Sequence, residues 1–252
     1  MSYHTWTAEE LESNLVYLKG DCWRFVENQY ICSTMKLVDT KEEQDVLERL
    51  LENSKPPIPE ECNHLEDFLL YTPFRYTPAP KGSRFRKQNQ KEGAFYASET
   101  IETALAEISF YKLLFFAESP DTPLPANPCE FTAFQVTYIS DRSIDLTEGP
   151  LIANKAEWEN LNDYTACQAL ADEARKANII AIRSNSVRCP QKGKNITLLN
   201  CAAFSKPKSK NYQTWKLILK EDRVIASTHL PTRTISFTHS NFSNDPRMKK
   251  VA

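Results

Sequence analysis

Helical periodicity fills the first half of this chain and strand-like runs fill most of the second, and that separation constrains the fold more than any single motif. Residues 7–30 read as a helix, with Thr7 as cap, Glu9 and Glu10 in the first turn, and Leu11, Leu15 and Leu18 at helical spacing. A second helix starts at Asp39-Thr40, carries Val46, Leu47, Leu50 and Leu51 on one face, and ends at Asn53-Ser54 before Pro56-Pro57-Ile58-Pro59. A short helix over Glu60–Leu70 leads to Tyr71. After a Pro78-Ala79-Pro80 loop comes a brief strand at 93–97, then a helix from Ser98 with Glu99 and Glu102 at its positive end. Ile101, Leu105 and Ile108 make one stripe of that helix, and from Phe110 on it is apolar all round, which predicts deep burial.

Strand patterns follow at 131–139, 144–146, 179–183, 195–200, 214–220, 223–228 and 233–238, interrupted by a helix at 163–177 with Asp163 as cap and Leu170 and Ala174 inward. Helices early and strands late predict an α+β fold rather than a doubly wound parallel sheet. The last residues, 240–252, read as a polar, basic, frayed tail.

A length of 252 residues suits one large domain, or one domain with an added terminal segment. The formal charge of −2 means that attraction to nucleic acid or to a membrane would need a local patch. Seven scattered cysteines, odd in number and without a CxxC pair, and four histidines at 4, 64, 229 and 239 give no zinc-ligand spacing, so no metal is expected. The start lacks the basic and apolar regions of an export signal, and Leu113-Leu114-Phe115-Phe116 is too short to span a bilayer. These features predict a cytoplasmic protein with reduced thiols.

The chemistry concentrates between Phe74 and Glu107. From Arg75 to Lys91 there are six basic residues (Arg75, Lys81, Arg84, Arg86, Lys87, Lys91) and no acidic one. Arginine forks suit diphosphates because their planar donors bind oxygens in pairs. A run of cations is also what an ordinary solvated loop carries, and the 81–91 stretch could instead contact nucleic acid, although only Phe85 inside it offers a stacking surface. Glu107 has Thr103, Ala104, Phe110 and Tyr111 as helical neighbours, none of them cationic, so its charge needs a partner from elsewhere or an open face. A second polar cluster, Arg183-Ser184-Asn185-Ser186-Val187-Arg188, leads through Gly193 to Asn195; its serines and asparagine could donate to an amide or a ribose, or form a plain turn.

Taken in order, Phe74-Arg75-Tyr76, Gly82-Ser83-Arg84, Phe95-Tyr96-Ala97-Ser98, Ala104-Leu105-Ala106-Glu107 and Ser186-Val187-Arg188, with Asp163-Tyr164 opening a helix before the serine, resemble the RES-domain family. That family comprises toxins of RES–Xre toxin–antitoxin pairs, similar in fold to ADP-ribosyltransferases. The resemblance covers about residues 67–239, and implies an N-terminal helical extension over 1–66, a RES domain over 67–239 and a tail over 240–252. It implies a mixed or antiparallel sheet core with flanking helices, and consumption of NAD+ by hydrolysis or phosphorolysis, with inorganic phosphate as co-substrate in the second case. Transfer of ADP-ribose to a protein is the alternative. By the same resemblance Arg75 and Arg84 would hold the diphosphate, and Tyr96 would orient the nicotinamide end, with Tyr76 a further contact. Glu107 would hold the ribose hydroxyls and stabilise the oxocarbenium-like charge, and Ser186 would position the nicotinamide or its ribose. Arg84 is preferred to Arg86 for its place after the glycine, although the family's glycine-rich second element is basic here. The implied partner is an Xre-type helix-turn-helix antitoxin, with a homodimer through the N-terminal helices, and neither membrane nor direct nucleic-acid contact.

Overall fold

The computed structural model describes residues 4–28, 37–76 and 82–248. The Pro78-Ala79-Pro80 loop and Lys81 lie outside the described residues. Elements run α1 (Ala8–Glu12), β1 (Val16–Glu27), α2 (Lys41–Ser54), α3 (Phe68–Arg75), β2 (Phe95–Ser98), α4 (Ile101–Ala117), β3 (Cys129–Asp145), α5 (Lys155–Trp158), α6 (Thr165–Lys176), β4 (Ala181–Asn185), β5 (Lys194–Leu198), β6 (Lys210–Leu219), β7 (Arg223–His229) and β8 (Thr232–Thr238). The fold is α+β: a single mixed sheet in the order β1-β2-β5-β4-β3-β6-β7-β8, with helices packed against it. Every pairing is antiparallel except β3 with β4. β1 also pairs with β3, which closes five of the strands into a circuit.

The expected helix over residues 7–30 is corrected. Thr7 does cap a helix, by a reciprocal capping box with Glu10, but that helix ends at Glu12 and the chain turns into the twelve-residue strand β1. Of the three leucines only Leu18 lies in this strand, and apolar residues on both of its faces fit a strand packed on two sides. Leu18, Cys22 and Val26 point to one hydrophobic cluster, while Trp23 and Phe25 point to another. Pairing of β1 with β3 from Val16↔Ser143 to Glu27↔Phe131 outweighs a local preference that was weak to begin with. Gly20 leaves room for the Tyr138 hydroxyl, 3.1 Å from where a Cβ would stand.

The expected Glu60–Leu70 helix is divided into a single 3-10 turn at Glu60–Cys62 and α3, whose cap is the Asp67 carboxylate accepting from the Leu69 amide. The runs at 131–139 and 144–146 are one strand, β3. The tail expected to fray turns back as a 3-10 turn at His239–Phe242, and Phe242 and Met248 are buried. Cys62 and Cys201 are joined as a disulfide, so the expectation that all thiols are reduced is corrected for that pair; both are enclosed in the core beneath α3. Among the described residues no helix is long and apolar enough to cross a membrane.

Three apolar clusters set the geometry of the site. One packs α4 on β1, β3, β6, β7 and β8, another packs α1, α5 and α6 on β4, and a third lies beneath α3. In β2 the alternation sends Phe95 and Ala97 into the third cluster, and Tyr96 and Ser98 to the opposite face. The register of β2 against β5 sets Thr197 beside Tyr96 and Asn195 beside Ser98. A polar strip therefore runs along one sheet face.

Candidate functional site

Glu107 stands on α4 above this strip. The helix is apolar nearly all round, so its buried length is fixed by packing, and the carboxylate emerges half-buried where Ala104 and Ala106 leave little bulk. Two donors meet one of its oxygens. The Ser186 hydroxyl donates to Oε1 at 2.7 Å, and the Asn195 Nδ2 donates to the same atom at 2.7 Å. Oε2 has no protein partner among the described residues. Asn195 is in turn fixed by Ser98, whose hydroxyl donates to its Oδ1 at 2.7 Å.

Ser186 follows β4 in a tight turn. Its hydroxyl accepts from the amides of Arg188 (3.3 Å) and Cys189 (3.0 Å), and its own amide donates to the Gly193 carbonyl at 2.7 Å. The turn needs glycine at 193, because a Cβ there would fall 1.9 Å from the Thr103 hydroxyl on α4. A cavity of about 600 Å³ opens on the far side of this turn, lined by Ser186, Arg188, Lys155, Lys192 and Asn244 among others.

Tyr111, one helical turn on along α4, borders Glu107 and lies beside Tyr164, whose hydroxyl donates to the Leu161 carbonyl at 3.3 Å. Desolvation of its hydroxyl end, with Tyr164 and Glu107 beside it, raises the Tyr111 phenol. Burial pushes the Tyr164 phenol up as well, but Arg84, Arg247 and Arg188 around it outweigh that, and it titrates below the ordinary tyrosine value. The Arg84 guanidinium lies over the Tyr164 ring, 4.6 Å from its centre.

The residues expected to bind a diphosphate are placed as follows. Arg84 donates to the carbonyls of Trp158 (2.7 Å) and Asn160 (3.0 Å), and so ties the 82–93 loop to the segment leading into α6. Arg86 is buried and donates to the carbonyls of Tyr76 and Gln90 (3.1 and 3.3 Å). Arg75 is paired with Glu52 of α2 at 2.6 Å and also donates to the Pro56 carbonyl. The Tyr96 hydroxyl bonds to Ser83 Oγ at 2.7 Å and accepts from the Phe85 amide at 3.1 Å. Tyr76 is exposed at the end of α3. The structure thus joins Glu107 directly to Ser186, and joins Tyr96 to the Gly82–Arg86 turn, where Gly82 adopts φ +63°. Arg75 meets the N-terminal segment instead.

The sequence pattern brings Asn195 into the second polar cluster without assigning it to Glu107, and gives no role to Tyr111 or Arg247. The signal for Asn195 is its register opposite Ser98, which a single sequence does not display. Arg188 is held at 2.6 Å by Asp245 from the C-terminal segment, both side chains nearly inaccessible, with its guanidinium 3.9 Å over the Phe110 ring. Among the described residues no group of three or more His, Cys, Asp or Glu could hold a metal ion.

No curated protein matches the sequence. Among solved structures, the chain resembles one from the crystal structure of the M. tuberculosis MbcT–MbcA toxin–antitoxin complex, with a TM-score of 0.44, 10% identity, and coverage of 84% of this chain and 91% of that one. That likeness is too loose to carry an argument. The family model described as RES domain matches residues 59–220, a span that holds Arg75, Arg84, Tyr96, Glu107, Ser186 and Asn195. The chain therefore belongs to the RES-domain family.

Proposed function

We propose that this protein is a toxin that consumes NAD+ by cleaving its nicotinamide–ribose bond. The observation that carries the reading is the 2.7 Å contact between Ser186 and Glu107, two residues 79 positions apart that both lie within the RES-domain match. A half-buried carboxylate with one oxygen saturated and the other open is equipped to face developing positive charge. As the N-glycosidic bond breaks, nicotinamide leaves with the electron pair and positive charge spreads over C1′ and the ring oxygen of the ribose. Glu107 stabilises that charge. The oxygen of water then bonds to C1′ and its proton passes to solvent, giving ADP-ribose; inorganic phosphate in the same place gives ADP-ribose 1″-phosphate. Ser186 holds Glu107 and borders the nicotinamide end, Tyr96 and Tyr76 orient that end, and Arg75 and Arg84 serve the diphosphate.

Transfer to a protein acceptor uses the same residues and is separated by labelled NAD+, whose label then stays on protein. Nucleic-acid binding through the 81–91 loop is the weaker reading, because Arg86 is buried against main-chain carbonyls and Lys87 pairs with Asp172. The proposed setting is the cytoplasm, where the substrate is, and the proposed partners are an Xre-type helix-turn-helix antitoxin and a second copy of the chain joined through α2.

The test is expression of the chain alone in bacteria while NAD+ is followed. The parent is expected to deplete NAD+, and Glu107→Gln to cut the rate by at least about 100-fold, the scale of losing a preorganised electrostatic contact. Unchanged NAD+ in the parent, or a Glu107→Gln variant as active as the parent, would refute the proposal.

A further inference from the structure

We propose that Asn195, locked by Ser98, is a positioning residue that fixes which oxygen of Glu107 the substrate meets. This rests on the reading of Glu107 as the charge-stabilising group.

An asparagine amide can present either end. An ionised Glu107 only accepts, so the end facing it must be Nδ2, and it donates at 2.7 Å. Oδ1 then faces Ser98, and the Ser98 hydroxyl donates to it at 2.7 Å. Ser98 is buried, and the two residues are directly opposed in the β2–β5 pairing. A flipped amide would set Oδ1 against the carboxylate, acceptor against acceptor. The chain Ser98→Asn195→Glu107 therefore has one arrangement that satisfies every group in it.

Ser186 completes the cradle. Both donors converge on Oε1, one from β5 and one from the turn after β4, while Oε2 has no protein donor among the described residues. A lone serine would let the carboxylate pivot about that single bond. Two donors anchored on different segments fix the carboxylate plane, and Oε2 becomes the oxygen that faces the ribose. Errors of about 1 Å in such placement cost on the order of 100-fold in rate.

The experiment uses the full chain with NAD+ as substrate, measuring kcat and KM from pH 4 to 9 for the parent, Asn195→Asp, Asn195→Ala and Ser98→Ala. Expected are kcat losses of about 100-fold for N195D and about tenfold for N195A and S98A, with KM within about twofold of the parent, because on this proposal Asn195 acts through Glu107. The acid limb of kcat is expected to move to higher pH, furthest in N195D, since losing a donor or gaining a like charge favours the protonated carboxyl. Melting curves identify any variant that fails to fold, and S98A, which keeps Asn195, carries the test if N195D does. Variants that fold with the parent's kcat and acid limb overturn the proposal, as does a uniform loss of active protein with an unmoved limb. If the parent cleaves no NAD+, the functional reading fails by itself; carbon-13 carboxyl titration of Glu107 then decides the positioning, with an unshifted midpoint in N195D and S98A overturning it.

Discussion

Asp245 and Arg188 show how much of the site depends on single residues far along the chain. The pair is almost wholly buried, and Arg247 donates to the same carboxylate at 2.8 Å. Burial works against the Asp245 charge, but the hydrogen bonds from Arg247 and the two neighbouring guanidiniums outweigh it, so the carboxyl lies below its ordinary value. A carboxyl lowered on folding contributes stability that is fully present above its unfolded value and is lost as pH falls through the folded one. Asp245→Asn is expected to lower stability at pH 7 by about 3–5 kcal/mol, because it strands a buried cation. Below pH of about 4 the gap to the parent should narrow, because the unfolded parent takes up a proton there before the folded Asp245 does. Denaturant midpoints across that range check both points. Glu107 belongs to this scale too: its lack of a helical partner is visible in the sequence, whereas the identity of its partners is not.

Elements differ in what they contribute. The helix α4 buries most of its length, and the segment after β8 buries Phe242 against Phe110, ring centres 5.6 Å apart. By contrast α2 buries none of its residues and exposes Val46, Leu50 and Leu51. Its sequence pattern reads as an amphipathic helix, and it is one, but among the described residues its apolar face meets no core. Replacing Val46, Leu50 and Leu51 by serine is expected to leave the melting temperature within a few degrees of the parent, as for surface changes in general. If α2 joins two copies, light scattering will show the parent as a dimer and that variant as a monomer; a monomeric parent removes the dimer. α2 also holds Arg75 through Glu52, so the arginine that the family resemblance directs toward NAD+ is engaged on this helix.

Across the whole molecule, the Cys62–Cys201 disulfide links the segment leading into α3 with the turn after β5, 139 residues apart. Both ends lie in the apolar cluster beneath α3, on the sheet face opposite Tyr96 and Ser98. Replacing both cysteines by alanine is expected to cost about 2–4 kcal/mol under oxidising conditions. The same variant should fall at or below the reduced parent in denaturant melts, because two fully buried sulfurs are lost along with the bond. A parent whose midpoint ignores reductant would show that the bond contributes nothing in solution.

The sequence by itself determined what short-range periodicity and side-chain chemistry can carry. The apolar helix α4, the carboxylate without a partner on it, the succession of late strands, and the α+β class all follow from patterns within a dozen or so residues, and the RES-domain resemblance from the order of five short motifs. Only the tertiary structure decided β1, because the helical leucine spacing of 11–18 ends just inside the strand and the long ladder with β3 settles its conformation. It also decided that Asn195 and Ser186 meet on Oε1, that the loop arginines turn to main-chain carbonyls, and that Arg75 pairs with Glu52. The reason is physical. A helix or strand is read from neighbours along the chain, but a site is assembled by strand register and packing, which bring together groups whose separation in sequence holds no trace of their distance in space.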